Sequence, residues 1–238
     1  MILYPAIDIF NGQCVRLKQG KFDDATIYYK NPVDAAKKWV DQGAKWLHVV
    51  DLNGAREGKP ANIKVIEEIM TSLNVPVQIG GGIRSQDIAE IYLTMGAGRV
   101  VIGSAAFEDP DLMQILCAKF EGRVALGLDA KDGKVAVHGW EDTLEKEAIA
   151  VAHEFESLGL QHLIYTDISR DGMMTGPNFD GMKKMIDATM VPVIASGGIS
   201  TIEDLIKLKE LGASGAILGK SIYEGKIDLK EALEKVSS

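Results

Sequence analysis

The chain has 238 residues, a net charge of −8 and 46% hydrophobic residues, values of an ordinary globular protein within the size range of a single α/β barrel. Its acidic balance excludes a general nucleic-acid surface and repels anions at long range, so any phosphate must be gripped locally by oriented backbone N–H groups and a few cations. No apolar run approaches the roughly 20 residues that a bilayer span needs, and MILYPAIDIF lacks the basic segment and long apolar stretch of a signal peptide. A cytoplasmic protein without membrane contact is expected, with Cys14 and Cys117 reduced and no paired metal-ligand spacing.

In chain order, short aliphatic or β-branched runs predict strands at Ile2–Asp8, Trp46–Asp51, Val77–Gly80, Arg99–Gly103, Val124–Asp129, His162–Asp167, Val193–Ser196 and Gly215–Leu218. They are continuously apolar rather than alternating, as when helices cover a parallel sheet. The segment from Phe10 to Asn31 reads as one long loop. Helix starts are marked by Asn31-Pro32, by Ser85 before Asp87, and by Asp109-Pro110. Ser200 and Glu203 have capping-box spacing. Gly43, Gly96, Gly159 and Gly212 stand where a helix needs a left-handed residue before the next strand. Eight such units without a linker predict one closed (β/α)8 barrel; an open doubly wound sheet is the competing architecture.

The barrel is favoured because the chain repeats itself halfway, with half-barrels at about 1–120 and 121–238. Gly81-Gly82-Ile83 and Gly197-Gly198-Ile199 are 116 residues apart, as are Gly103 and Gly219, and Asp51 and Asp167. Asp8 and Asp129 are 121 apart, so the first half holds five extra residues before Asp51. In a barrel every strand's C-terminal end opens on one face, where active sites lie. Strands 1 and 5 are diametric, so Asp8 and Asp129 face each other there.

Two carboxylates flanking one ligand can act as general acid and general base. A lone strand-end Asp more often caps the following loop. Two at symmetric positions, each before a small turn (Asn11-Gly12, Asp132-Gly133), favour catalysis, whereas Asp51 and Asp167 read as structural or ligand-orienting. The turns at Gly81, Gly82 and Arg84 and at Gly103 and Ser104, with their counterparts Gly197, Gly198, Gly219 and Lys220, predict two anion sites. Two diametric copies point to a ligand with two phosphates.

Other polar residues carry weaker signals. Arg16 and Lys18 could fold over the ligand or simply face solvent. Thr166 could bond the reacting sugar, Asp171 in SRDGMMTG could serve as an acid, and Gly176 closes the same loop. Trp140 suits stacking on a base-like ring. His48 reads as surrounded by apolar residues, and His138, His153 and His162 share no spacing, so no metal is expected.

With these residues in place the chain resembles the phosphoribosylformimino-aminoimidazole-carboxamide ribotide isomerase family of histidine biosynthesis. The carriers are PAIDIFNGQCVRLKQG, HVVDLNGA, QIGGGIRS, RVVIGSAAFEDP, GLDAKDGKVAVHGW, YTDISRDGMMTGPN, IASGGIS and GAILGKSIYEG, which run end to end. The resemblance implies an Amadori rearrangement of a bisphosphorylated ribotide, without metal or organic cofactor. The sequence does not give the oligomeric state, but closed barrels of this size manage as monomers, and a monomer is expected. The resemblance also implies Asp8 as base and Asp129 as acid, with Asp171 competing for the acid role, Thr166 assisting, and Arg16, Trp140 and Gly176 among the ligand-binding residues. The related cyclase of the next pathway step carries lysine where Arg16 stands. A dual-substrate isomerase that also takes phosphoribosyl anthranilate, and a non-catalytic phosphometabolite binder, are the other readings.

Overall fold

The computed structural model describes residues 1–18, 21–140 and 142–237. Eight parallel strands form the barrel: β1 (Ile2–Phe10), β4 (Leu47–Asp51), β5 (Val77–Gly80), β6 (Arg99–Ile102), β7 (Val124–Lys131), β10 (Leu163–Asp167), β11 (Val193–Ser196) and β12 (Gly215–Leu218). Each pairs with its neighbour in that order. Pairing of β12 with β1 closes the ring. β1 and β7 are therefore separated by three strands on either side, as the half-repeat requires.

Alternation along each strand sorts side chains between two cores. Tyr4, Ala6, Val101, Ala125, Ile164, Ile194 and Ile217 fill the lumen, with Trp46 packed on them. The opposite faces (Leu3, Ile7 and Ile9 on β1; Leu47 and Val49 on β4) meet the helices. Burial of each such side chain is worth about 1.5–3 kcal/mol. Both faces are covered, which is why the strands read as uninterrupted apolar runs.

Helix starts follow the expected caps. Asn31 accepts from the N–H of Val33, Ser85 from Ile88 and Asp109 from Leu112. Gly43, Gly96, Gly159 and Gly212 all have positive φ, between 88° and 105°. The capping box near 200 is displaced by one residue. Thr201 is the N-cap and Asp204 its reciprocal partner, with Asp204 Oδ2 accepting from both Ser200 and Thr201 N–H groups.

The segment from Phe10 to Asn31 is not a loop. It is an antiparallel extension of β1 made of β2 (Gln13–Lys18) and β3 (Lys21–Tyr29). β7 carries the matching extension, β8 (Lys134–Val137) and β9 (Asp142–Glu147). The turns at Asn11-Gly12 and Asp132-Gly133 have all four φ angles positive, the geometry that two-residue hairpins require. Helices Pro32–Asp41 and Ala148–Ser157 are already 116 residues apart, so the five extra residues lie wholly within the first hairpin. Each hairpin rises from the strand that bears an acid.

Candidate active site

Asp8 lies beside Val50 of β4, and Asp129 beside Thr166 of β10. Both line a cavity of about 250 Å³ at the barrel mouth, with Arg16, His48, Trp140, Thr166 and Asp171. A neighbouring cavity of about 240 Å³ shares His48, Asp129, Trp140 and Thr166 and extends to Gly81, Gly82, Arg84, Gly103 and Ser104. On the opposite side a pocket of about 30 Å³ shares Arg16 and Asp171 and reaches Gly197, Gly198, Gly219 and Lys220. One cleft thus crosses the mouth, with acids in the middle and glycine turns at both ends. Gly176 does not line these cavities; it donates its N–H to Gly198 O at 3.1 Å.

Electrostatics at the centre are dominated by burial. It pushes the Asp8 carboxyl above its usual range; the Arg16 charge opposes this and that of Asp171 adds to it. Asp129 is also raised by burial, against hydrogen bonds from Trp140 and Thr166 that favour the carboxylate. Asp171 is raised for the same first reason, with Arg16 and the Gly172 N–H pulling the other way. Arg16 reaches Asp8 from β2 at 2.9 Å. Burial disfavours its charge, yet Asp8 and Asp171 together make it a weaker acid. Its Nε and Nη1 are buried without a partner of hydrogen-bond geometry, and its guanidinium lies directly on the Gly219 backbone. The side chain of Lys18 lies outside the described set.

The second hairpin serves Asp129. Trp140 Nε1–H donates to Asp129 Oδ2 at 2.7 Å. His138 anchors that loop: its N–H donates to Ser104 Oγ, and its ring bridges Glu108 and Asp142.

The glycines divide by what requires them. A methyl at Gly81 would strike the Asp51 carbonyl, and one at Gly82 or Gly198 would lie 2.6 Å from the carbonyl oxygen of Gly54 or Gly176. At Gly197 the obstacle is Asp167 O at 2.8 Å. These four have positive φ and are demanded by packing whatever the ligand. Gly103 has open space where a Cβ would be; no protein contact requires it.

Asp51 and Asp167 are structural. Asp51 is fully buried and accepts from the N–H groups of Gly54, Ala61 and Asn62 and from the Asn62 amide. Asp167 accepts from Ser169 and from the Asn178 amide. Asn62 and Asn178 are themselves 116 residues apart, a part of the repeat that would have identified both aspartates as loop clamps.

His48 departs from the expected apolar surroundings. Its side chain faces the lumen, lines the cleft, and lies 2.9 Å through Nδ1 from Gln78 Nε2, while Arg99 donates to Gln78 Oε1 at 3.0 Å. Burial, and then the Arg16 charge, depress its pKa to about 3. Among the described residues no three His, Cys, Asp or Glu side chains are grouped as metal ligands, and no helix is long and apolar enough to cross a membrane.

A closed (β/α)8 barrel with a cleft of buried acids at its C-terminal mouth belongs to the class of α/β barrels whose active sites lie on that face. Within that class, residues 2–228 match the family model described as "Histidine biosynthesis protein", and the chain belongs to that family. It is 52% identical over 233 residues, covering 98% of this chain and 99% of the relative, to a Ruminiclostridium cellulolyticum protein named 1-(5-phosphoribosyl)-5-((5-phosphoribosylamino)methylideneamino) imidazole-4-carboxamide isomerase. Proteins of the same name from Acetivibrio thermocellus and Synechocystis are 50% and 46% identical, over 98% and 100% of this chain and 99% and 94% of their own lengths.

Proposed function

We propose that this chain is the aldose–ketose isomerase that its relatives are named for. The reaction would be an Amadori rearrangement turning a bisphosphorylated phosphoribosylformimino aminoimidazole carboxamide ribotide into its phosphoribulosyl aminoketose. The observation that carries the reading is the pairing of Asp8 and Asp129 across one cavity with a glycine-turn pocket at each end. Full-length identity near 50% to proteins of that name supports it.

In this reading Asp129 is the general acid. Burial keeps its proton affinity high, and the Trp140 N–H aims the carboxyl, as protonation of the ribose ring oxygen requires. Ring opening leaves an iminium. Asp8, held toward the carboxylate by Arg16, removes the C2 proton, and the electron pair flows toward nitrogen. Tautomerisation of the enolamine then gives the ketone. Because the substrate supplies the electron sink, neither metal nor organic cofactor is needed. Thr166 steadies Asp129, and Asp171 raises the proton affinity of both Asp8 and Asp129. The phosphates occupy the two ends, one at Gly103 and Ser104 with Arg84, the other at Gly219 and Lys220 with Arg16.

The cyclase reading is disfavoured by Arg16, since a guanidinium is a poor proton shuttle where a lysine would stand. A spectrophotometric assay with the aminoaldose, run with and without ammonia and a coupled cyclase, tests the proposal; an arm with phosphoribosyl anthranilate tests dual specificity. Turnover of the aminoaldose alone is expected. Conversion of the aminoketose with ammonia, without isomerase activity, would overturn it.

A further inference from the structure

Three polar side chains that the mechanism above does not use form a chain from the interior of the barrel to the floor of the cleft. Arg99, at the start of β6, is 5% exposed and stacks its guanidinium 4.9 Å from the Trp46 ring. It donates through Nη1 to Gln78 Oε1 at 3.0 Å, and Gln78 Nε2 lies 2.9 Å from His48 Nδ1. Gln78 is fully buried.

The chemistry of these groups fixes every proton in the chain. A guanidinium can only donate, so the Gln78 atom facing Arg99 is the carbonyl oxygen. The Gln78 NH2 therefore faces His48, and His48 Nδ1 must accept. A neutral imidazole that accepts at Nδ1 carries its proton at Nε2. Flipping the amide would set NH2 against the guanidinium N–H in a buried site and leave donors facing donors. Nε2 is the ring nitrogen farther from the backbone and hence nearer the barrel axis, and it has no protein partner among the described residues. His48 pairs in register with Ala6, one inward-facing position below Asp8 on the adjacent strand.

We infer that His48 is a further catalytic residue: its neutral Nε2–H donates a hydrogen bond to the sugar oxygen on C2, with Gln78 and Arg99 as positioning residues that hold the tautomer. This deepens the isomerase reading and rests on it. The location follows from Asp8, because the oxygen to be stabilised is borne by the carbon that Asp8 deprotonates. No proton passes to or from His48. C2 gives its proton to Asp8, the pair moves into the C1–C2 bond and the C1=N pair onto nitrogen. In the tautomerisation that follows, the C2 hydroxyl gives its proton to the ionised Asp129 and becomes the carbonyl, while C1 takes the proton held by Asp8. It is in this second step that the oxygen carries oxyanion character. An imidazolium would bind that oxygen but also pair with the neighbouring carboxylates; a neutral donor stabilises developing oxyanion character without neutralising the base.

Two measurements decide it. In the wild-type protein labelled with 15N-histidine, assigned by comparison with His48→Gln, His48 should give a pyridine-like Nδ1 and a pyrrole-like Nε2 across the neutral range. A protonated Nδ1 would overturn the inference. In turnover, His48→Leu should lose tenfold or more in kcat, and His48→Gln, which keeps an N–H near the same place, should recover part of it. Gln78→Glu keeps the acceptor for Arg99 but demands Nδ1–H, so it should reverse the nitrogen pattern and lower kcat tenfold while KM stays within twofold. Wild-type kcat in a folded His48→Leu, or in Gln78→Glu with its nitrogens reversed, would refute the role. Absence of isomerase activity in the wild type would remove the reading beneath it and with it the sugar contact, while the nitrogen spectrum would still decide the tautomer.

Discussion

Trp140 donates to Asp129 from a backbone that ordinary residues avoid. Its φ is 75°, after Gly139 at 67° and His138 at 54°, and each non-glycine left-handed residue of this kind costs on the order of 1–3 kcal/mol. The contacts of His138 with Ser104, Glu108 and Asp142 hold the segment in place. The strained loop thus aims the indole at the proposed acid. Trp140→Phe keeps the ring and deletes the donor. It should lower kcat about tenfold, the worth of one charge-assisted hydrogen bond, and move the limb of the pH–rate profile assigned to Asp129 upward, because a bond favouring its carboxylate is gone. Steady-state kinetics across pH would check both.

The buried acids should make the fold less stable at neutral pH. Asp129 has its folded-state pKa raised above the ordinary 3.8, so the folded chain binds this proton more tightly than the unfolded one. That contribution is complete below 3.8 and is lost as pH rises through the folded value. At pH 7 the carboxylate is a net cost, and Asp129→Asn should raise stability. The gain should shrink as pH approaches 3.8. Asp8→Asn should gain less, since it leaves Arg16 buried without its partner. Denaturant unfolding at several pH values would measure both.

Glycine substitutions should separate packing from ligand binding. Gly81→Ala puts a methyl into the Asp51 carbonyl at a φ of 98°, and should cost about 3 kcal/mol or more in stability. Gly103→Ala meets nothing and should leave stability within about 0.5 kcal/mol. The added methyl would stand in the open space where a phosphate approaches the Gly103 N–H, so KM should nevertheless rise about tenfold or more, the loss expected when one charge-assisted bond is blocked. Unfolding curves and KM for the two variants would show the contrast.

The strands were legible because both faces of each are buried, which leaves no polar alternation to confuse. The hairpins were hidden for the opposite reason. Asp142–Glu147 is DTLEKE, with five of its six residues exposed, and nothing in such a run marks it as a strand. Ser200–Glu203 had the spacing of a capping box, but the shorter Asp204 side chain reaches back to two N–H groups and wins. Asp8 and Asp129 stand out by symmetry, whereas Arg16, Thr166 and Asp171 carry only weak positional signals that the family resemblance strengthens; the structure gathers all five around one cleft. His48 was not legible as a site residue: its partners Gln78 and Arg99 are 30 and 51 positions away in sequence and are joined only by the register of β4, β5 and β6. Strand alternation was the available signal, since it sets Trp46, His48 and Val50 inward together.

The measurement that tests the central claim most directly is turnover of the aminoaldose by Asp8→Asn and by Asp129→Asn, with substrate affinity measured on the same preparations. Each variant should lose about 10²–10⁴ in kcat, the range that positioned acid–base groups supply, while binding stays near the wild-type value. Wild-type turnover in either variant would contradict the assignment of that aspartate, and wild-type turnover in both would end the two-acid account.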